Sequence, residues 1–317
     1  MREERPRRSV RGSSRTDPSR YAARRSSAAV RGVTRRGRAN RAQPMDWLCG
    51  ALAVIGCLLL AFVVVSGARK TFDLSAQGEG EREEQEDLAW RDKDFAVDPA
   101  RTDWNYEGDG RKVVYLTIDD GPSENTQAVL DILDQYGCKA TFFVVGASPD
   151  YYPMIGEAYR RGHTIGLHSY THDYAQVYAS EEAYYADLDA IGQVVSDQIG
   201  YVPCFIRFPG GASNEISADY CLGIMSALTN SVQERGYQYY DWNMSTGDGA
   251  EHTADEIVGF ATADPGFDTI MLLCHDSATK GSTVEALPRI IEYYQALGYS
   301  FEAISRTSPV VQHGVNN

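Results

Sequence analysis

Cysteine is scarce in this 317-residue sequence, with six residues in all. Two of them lie in a long apolar run, and the other four are Cys138, Cys204, Cys221 and Cys274. Small secreted domains that depend on disulfides carry a dense framework of cysteines. This sequence has no such framework, which argues against a disulfide scaffold. We expect these four side chains to be buried free thiols, which behave as small apolar groups.

Lysine is absent from residues 1–44, and large apolar side chains are few there. Fourteen arginines and three acidic residues give this segment a formal charge of +11, which leaves sixteen basic and forty-one acidic residues, or −25, for the rest. A segment with so few apolar side chains cannot bury a core, so we predict a disordered cytoplasmic arm. Basic arms can bind nucleic acid, but the segment that follows explains the charge better, and we predict no nucleic-acid partner.

Charged side chains are also absent from residues 47–68, a run of 22 residues rich in Leu, Val and Ala. About 20 apolar residues cross a bilayer as one helix. Arginine-rich sequence before the run and acidic sequence after it place the N-terminus in the cytoplasm. We therefore predict a single-pass signal anchor in the cell membrane over residues 45–68, with the rest of the chain extracellular. A cleaved signal peptide is the alternative, although its apolar region is usually shorter.

Residues 69–103 are polar and acidic, and charged linkers of this kind extend. We predict an extracytoplasmic stalk there, a folded domain over residues 104–307 and a short tail over residues 308–317. Within the domain, apolar runs alternate with helical patterns, which predicts an α/β fold with a parallel sheet. The predicted strands cover residues 112–119, 139–146, 163–169, 204–208, 237–243, 269–275 and 301–304. Seven such units suggest a closed barrel.

Two adjacent carboxylates, Asp119 and Asp120, stand at the end of the first predicted strand. The Gly-Pro pair that follows breaks the strand and turns the chain. Neighbouring carboxylates ionise at low cost only where a positive group lies near both. The pair is therefore either a solvated turn or part of a site that holds a cation.

Other polar side chains follow apolar runs in the same way. His168 and His172 lie four residues apart after the third predicted strand, Arg207 follows the fourth, and His275 closes the sixth. In barrels of parallel strands, functional residues gather at the carboxyl ends of the strands. Two histidines and one carboxylate form a metal-binding set that leaves positions open for water and substrate.

Four motifs occur in order as TIDDGP, HSYTH, RFPGG and LCH. Together they resemble the polysaccharide deacetylase family, also called the NodB-homology domain or carbohydrate esterase family 4, over residues 104–307. The resemblance implies a distorted (β/α)7 barrel, and the count of seven predicted strands agrees. It also implies a metal-dependent hydrolase that removes N-acetyl groups from N-acetylhexosamine residues of an extracellular polysaccharide.

The predicted membrane anchor favours peptidoglycan as that polysaccharide. The RFPGG form and the long insert over residues 212–236 look most like membrane-anchored bacterial peptidoglycan N-acetylglucosamine deacetylases. Two alternatives stay open: an O-acetyl esterase that acts on xylan-like polysaccharide, and a catalytically inactive glycan-binding wall protein. The sequence predicts a cell-wall glycan as substrate and no protein partner.

The resemblance also assigns roles to the motif residues. Asp120, His168 and His172 would hold one divalent ion, for which Zn²⁺ is our first choice and Co²⁺ or Ni²⁺ are compatible. Asp119 would be the general base that takes a proton from water. His275 would be the general acid that protonates the leaving amine nitrogen.

Further residues would orient these groups or contact substrate. By resemblance, Arg207 orients the base, and the Gly210 backbone N–H holds the oxyanion. The family often has an aromatic side chain at this position, so we expect Gly210 to leave that wall of the groove open. Leu273 would line the pocket for the acetyl methyl group.

The aspartate that orients the general acid has two possible registers. We assign it to Asp248, which lies past the fifth predicted strand, so that Gly249 takes the place of the family's groove tryptophan. The alternative is Asp241 followed by Trp242, within that strand. Trp242 is accordingly kept as a candidate substrate-binding residue.

Overall fold

The computed structural model of this protein describes residues 94–107, 110–263 and 266–317. The predicted arm over residues 1–44 and the predicted anchor over residues 45–68 lie outside these ranges. No helix in the described ranges is both long and apolar enough to cross a membrane.

The described chain alternates strands with helices. The strands are β1 Val113–Asp119, β2 Ala140–Val145, β3 Thr164–Ser169, β4 Phe205–Ile206, β5 Gln238–Tyr239, β6 Met244–Ser245, β7 Thr269–His275 and β8 Ser300–Phe301. The helices are α1 Thr126–Gln135, α2 Pro153–Arg160, α3 Tyr174–Val177, α4 Glu181–Ile199, α5 Ile224–Glu234, α6 Ala254–Ala261 and α7 Gly281–Ala296. Short 3₁₀ helices cover Pro149–Tyr151 and Ile216–Asp219.

All strand pairs are parallel, in the order β5-β4-β3-β2-β1-β7-β6. β7 pairs with β1 along its whole length, and this register places Asp119 opposite His275. On the other edge of β1, β8 takes the first two residues and β2 takes the last four. The predicted α/β class with parallel strands is confirmed. Within the described residues, no pairing between β5 and β6 closes the sheet into a complete ring.

The strand predicted over residues 237–243 is wrong in its extent. Within that range the structure has only the two-residue strand β5, and the next strand, β6, begins at Met244 and pairs with β7. Between them, the carbonyl oxygens of Tyr240 and Asp241 accept hydrogen bonds from the Arg207 guanidinium at 2.8 Å. Because these acceptors bind a side chain, the segment contributes few backbone bonds to the sheet.

Alternation along β1 divides its side chains between two apolar clusters. Val114, Leu116 and Ile118 pack against the helices, whereas Val113 and Tyr115 belong to a separate cluster on the other face. Successive side chains of a strand point to opposite faces. Asp119 therefore shares the face of Val113 and Tyr115. The same period places Leu273 and His275 of β7 on one face with Met271, a member of that second cluster.

Segments at both ends of the described chain pack against this framework. Phe95 joins the second cluster, and its carbonyl oxygen accepts from Cys204 N at 2.8 Å. Near the C-terminus, Val311 O accepts from Asp241 N at 2.8 Å, and Asn317 O accepts from Ser226 N at 2.8 Å. Parts of the predicted stalk and tail are thus hydrogen-bonded to the α/β domain.

All four described cysteines are free. Cys138, Cys204 and Cys274 are buried, as predicted, whereas Cys221 is half-buried. Burial raises the pKa of the Cys138 thiol to about 11 and that of the Cys204 thiol to about 12. These two thiols are therefore protonated at neutral pH and behave as apolar side chains.

Candidate active site

Asp119 is held at the end of β1 by a buried arginine. Arg207 Nη1 donates to Asp119 Oδ1 at 2.9 Å, and the two residues are 0% and 2% exposed. The guanidinium also donates to Thr117 Oγ1 and to the carbonyl oxygens of Tyr240 and Asp241, each at 2.8 Å. Buried charges are tolerated when they are paired and fully hydrogen-bonded. Arg207 meets both conditions and so fixes the orientation of the Asp119 carboxylate.

Asp120, His168 and His172 offer one ligand atom each, all within 4.8 Å of one another. Asp120 Oδ1 lies 3.6 Å from His168 Nε2 and 3.4 Å from His172 Nε2. This oxygen is buried and has no hydrogen-bond partner among the residues that the structure describes. A buried carboxylate oxygen without a donor is costly, and a divalent cation would satisfy it. The three residues therefore fit a divalent metal ion.

The tautomer of His168 suits this set. His168 Nδ1–H donates to the Arg207 carbonyl oxygen at 2.7 Å, which leaves the Nε2 lone pair facing Asp120. Burial lowers the pKa of His168, so the ring is neutral. Metal-binding histidines usually donate their second N–H in this way. Asp119 stands beside the set, with its Oδ2 3.9 Å from His168 Nε2 and its Oδ1 bound to Arg207.

The turn that carries His172 is organised by Asp187 of α4. Asp187 Oδ2 accepts from Ser169 Oγ and Tyr170 N, both at 2.7 Å. Asp187 Oδ1 accepts from Thr171 N at 2.9 Å and from Thr171 Oγ1 at 2.6 Å. Ser169 Oγ in turn accepts from His172 N at 2.8 Å. These bonds support the left-handed backbone of His172, whose φ is +51°.

Asp187 is not among the residues predicted from the sequence. The available signal is its position on α4, one residue before Leu188 and three after Tyr184, both of which are buried. An acid among the buried positions of an amphipathic helix needs donors, and the HSYTH turn supplies them.

His275 is paired with Asp248. The ring Nδ1–H donates to Asp248 Oδ1 at 2.7 Å, and His275 N donates to Asp248 Oδ2 at 2.8 Å. Thr283 Oγ1 donates to the same Oδ2 at 2.7 Å. Burial alone would lower the pKa of His275, but the hydrogen bond and negative charge of Asp248 outweigh it, and the pKa is raised. The ring is thus disposed to carry a proton.

Asp241 occupies a different place. Its Oδ1 accepts from Ala212 N at 2.9 Å, and its Oδ2 accepts from His313 N at 2.8 Å. Trp242, beside it, packs edge-on against the His313 ring at 4.6 Å between centroids. Of the two aspartates in question, the structure brings Asp248 to His275 and places Asp241 behind the RFPGG loop.

The groove residues lie at the same end of the sheet. Leu273 is buried on the face of β7 that carries His275. Gly210 has φ of +77°, and within the described chain its N–H donates to no other residue. The expectation of an open wall at Gly210 is wrong. A Cβ built there would lie 2.5 Å from Tyr174 Oη, so a phenol occupies that space.

Asp276, directly after His275, supports the turn that follows Asp120. It accepts from Thr126 Oγ1 at 2.6 Å and from Ser123 Oγ at 3.1 Å. Burial raises its pKa to about 6, against the effect of these two hydrogen bonds. A Cβ at Gly121 would lie 2.8 Å from Asp276 Oδ2, so the turn requires glycine there. Sequence reasoning missed Asp276, although an acid next to a candidate catalytic histidine was a visible signal.

Comparisons with known proteins match the fold and the motifs. The family model described as polysaccharide deacetylase matches residues 107–222. A peptidoglycan-N-acetylglucosamine deacetylase of Bacillus cereus is 31% identical over 214 residues, which cover 64% of this chain and 73% of the relative.

Solved structures of deacetylases are also similar to this chain. The catalytic domain of peptidoglycan N-acetylglucosamine deacetylase from Eubacterium rectale is 43% identical, with a TM-score of 0.65, and the match covers 69% of this chain and 100% of that one. The polysaccharide deacetylase Bc1974 from Bacillus cereus is 30% identical, with a TM-score of 0.52, and the match covers 61% and 92%. The shared fold and the matched relatives lead to one conclusion: this chain belongs to the polysaccharide deacetylase family, carbohydrate esterase family 4.

Proposed function

We propose that this protein is a metal-dependent hydrolase that removes N-acetyl groups from N-acetylglucosamine residues of peptidoglycan. The observation that carries the proposal is that three groups lie together at the carboxyl ends of the parallel strands. Asp120, His168 and His172 form an ion-sized set, Asp119 lies beside it, and His275 lies opposite Asp119 on the neighbouring strand. Two relatives whose names specify peptidoglycan N-acetylglucosamine deacetylase support the choice of substrate.

The three-residue set would hold the metal ion, with Zn²⁺ as the first choice because two histidines and a carboxylate suit it. A divalent cation there supplies Lewis acidity, which acidifies water and polarises a carbonyl oxygen. Asp119 takes the proton from the attacking water. Arg207 holds that carboxylate in place, because its four hydrogen bonds leave the guanidinium no alternative position.

The leaving group would receive its proton from a residue of the neighbouring strand, β7. Expulsion of an amine from a tetrahedral intermediate requires a proton on nitrogen, and His275 carries one because Asp248 raises its pKa. The Gly210 N–H is free to donate to the oxygen that becomes negative. In comparable sites, one such donor lowers the barrier by about 3 kcal/mol. Leu273 shapes the space for the acetyl methyl group.

Deacetylation is tested with the full chain in detergent, loaded with Zn²⁺ and incubated with purified peptidoglycan fragments. Mass spectrometry should show loss of acetyl from N-acetylglucosamine, and released acetate should match it in amount. The Asp119→Asn variant is the matched control, since it keeps the metal set. Release of acetate only from O-acetylated xylan fragments would contradict the proposed substrate.

We also propose that residues 45–68 anchor the protein in the cell membrane with the barrel outside. The uncharged run behind an arginine-rich arm supports this topology. Protease added to intact cells should remove the 104–307 domain and spare the arm. A protected domain with a digested arm would contradict it.

A further inference from the structure

The wall of the groove at Gly210 is formed by Tyr174, which none of the four motifs contains. Tyr174 begins α3, two residues after His172, and its ring packs edge-on against His172 at 5.9 Å between centroids. Its Oη lies 2.5 Å from the position that a Cβ of residue 210 would occupy. Tyr174 therefore takes the place of any side chain at position 210.

Two tyrosines of this turn use their hydroxyl groups differently. Tyr178 is fully buried, and its Oη donates to the Pro209 carbonyl oxygen at 2.7 Å. The Tyr174 ring lies 5.6 Å from it between centroids and is half-buried. Among the described residues, Tyr174 Oη makes no hydrogen bond. Tyr178 thus holds the RFPGG loop, whereas Tyr174 presents an unused donor beside it.

The unused hydroxyl lies close to the unused Gly210 N–H. Covalent geometry separates the N and Cβ positions of one residue by about 2.5 Å. Since Tyr174 Oη lies 2.5 Å from that Cβ position, the two donors are at most about 5 Å apart. One oxygen that accepts hydrogen bonds of about 2.9 Å from two donors can bridge a separation of up to about 5.8 Å, so this spacing is short enough for a shared acceptor.

We propose that Tyr174 Oη and Gly210 N–H together bind the carbonyl oxygen of the acetyl group that is removed. This inference rests on the proposed function, because it requires an acetyl carbonyl at this point. When water adds to the carbonyl carbon, the C=O π pair moves to oxygen, which then accepts both hydrogen bonds more strongly. When the C–N bond breaks, the C=O bond re-forms and nitrogen leaves with the proton from His275. A donor placed where charge develops lowers the barrier of the step.

The variant Tyr174→Phe tests this role, because it removes one oxygen atom and keeps the ring against His172. On peptidoglycan fragments, kcat should fall about 10- to 100-fold, while KM changes less than about twofold. Metal content should equal that of the wild type. The control is Tyr136→Phe, which removes the hydroxyl of another half-buried tyrosine whose Oη donates to Glu292 on the outer helices at 2.7 Å. Its kcat should match the wild type.

Either of two results would overturn the proposal: an unchanged kcat in Tyr174→Phe, or a loss of kcat that follows a loss of metal. The second result would mean that Tyr174 acts only by supporting His172.

Acetate provides a measurement that does not depend on turnover. In calorimetric titration of the zinc-loaded full chain, acetate should bind about fivefold more weakly to Tyr174→Phe than to the wild type or to Tyr136→Phe. Equal acetate affinities would refute the donor role of Tyr174. A wild-type protein that leaves peptidoglycan acetylated refutes the proposed substrate instead, and weaker acetate binding by Tyr174→Phe would then still support the donor.

Discussion

Two buried carboxylates of this site, Asp119 and Asp248, differ in the partner that each one holds. Asp119 is paired at 2.9 Å with Arg207, and an arginine stays positive at any physiological pH. Asp248 is paired at 2.7 Å with His275, and a histidine changes its charge near neutral pH. Both carboxylates are buried. The two carboxylates are therefore alike in burial. They differ in the basic side chain beside them, which is an arginine for Asp119 and a histidine for Asp248.

This difference separates two tasks. In the proposed mechanism, Arg207 orients the Asp119 carboxylate to take a proton from water, as a general base must. A carboxylate beside histidine instead stabilises the protonated ring, so the pair can deliver a proton. The proposed proton acceptor, Asp119, and the proposed proton donor, His275, therefore lie on adjacent strands and in register. The following variants test whether the two pairs have these separate roles.

The largest effect is expected from Asp119→Asn. The amide can still accept from Arg207 but cannot take a proton from water, so kcat should fall by roughly 10²–10⁴-fold. Metal content, measured by plasma emission on the purified protein, should stay at the wild-type value. Loss of the metal would place Asp119 among the ligands and remove the distinction between the two pairs.

Asp248→Asn should lower kcat by about 10²-fold and change its pH dependence. His275 is an acid only while protonated, so activity is lost as pH rises through its pKa. Asp248 raises that pKa. Without the carboxylate, burial dominates and the pKa falls, so the alkaline limb of the kcat profile should move to lower pH.

The same variant distinguishes the leaving groups. An alkoxide needs the proton less than an amine does, so Asp248→Asn should lose more activity on N-acetyl than on O-acetyl substrates. Equal losses on both, or an unmoved alkaline limb, would show that Asp248 does not act through the acid.

A smaller effect is expected from Asp187→Asn, which replaces one of the accepting oxygens of the HSYTH turn with a donor. Support of this kind typically contributes 10- to 100-fold in metal affinity, so we expect roughly tenfold weaker Zn²⁺ binding in a chelator competition. Asp187→Glu should restore part of the affinity. Wild-type affinity in Asp187→Asn would mean that His172 is held by the backbone alone.

The smallest effect is expected from Asp241→Asn. Its two acceptor positions serve Ala212 N and His313 N rather than His275, so kcat and its pH profile should stay near wild type. Stability should fall by about 1 kcal/mol in urea unfolding, because one backbone donor loses a charged acceptor. A loss of kcat with a shifted alkaline limb in Asp241→Asn would move the acid-orienting role to Asp241, with Trp242 as the groove neighbour.

Sequence patterns predicted the part of the molecule where the backbone ladder is long. β1 and β7 are largely apolar strands of seven residues each, so their ends, and with them Asp119 and His275, could be located from the sequence. β5 and β6 have only two residues each. There the chain is positioned by Arg207 and Asp241, through bonds between side chain and backbone that have no period.

The position of Tyr174 could not be predicted for the same reason. Which side chain fills the space beside Gly210 depends on how the turn after His172 packs against the RFPGG loop. Neither segment has a repeating pattern that specifies this contact. The glycine at position 210 suggested open space beside the loop, whereas the tertiary structure places the Tyr174 side chain of helix α3 there.

The register of β1 and β7 has a consequence for the spacing of the two residues that are proposed to transfer protons. Asp119 and His275 are opposite each other on adjacent strands, and Asp276 N donates to Asp119 O at 2.9 Å. Hydrogen-bonded strands keep a separation of about 4.8 Å in any sheet. The backbone distance between Asp119 and His275 is therefore set by the sheet itself. Residues 210–222 lie outside the strands, so they do not determine that distance.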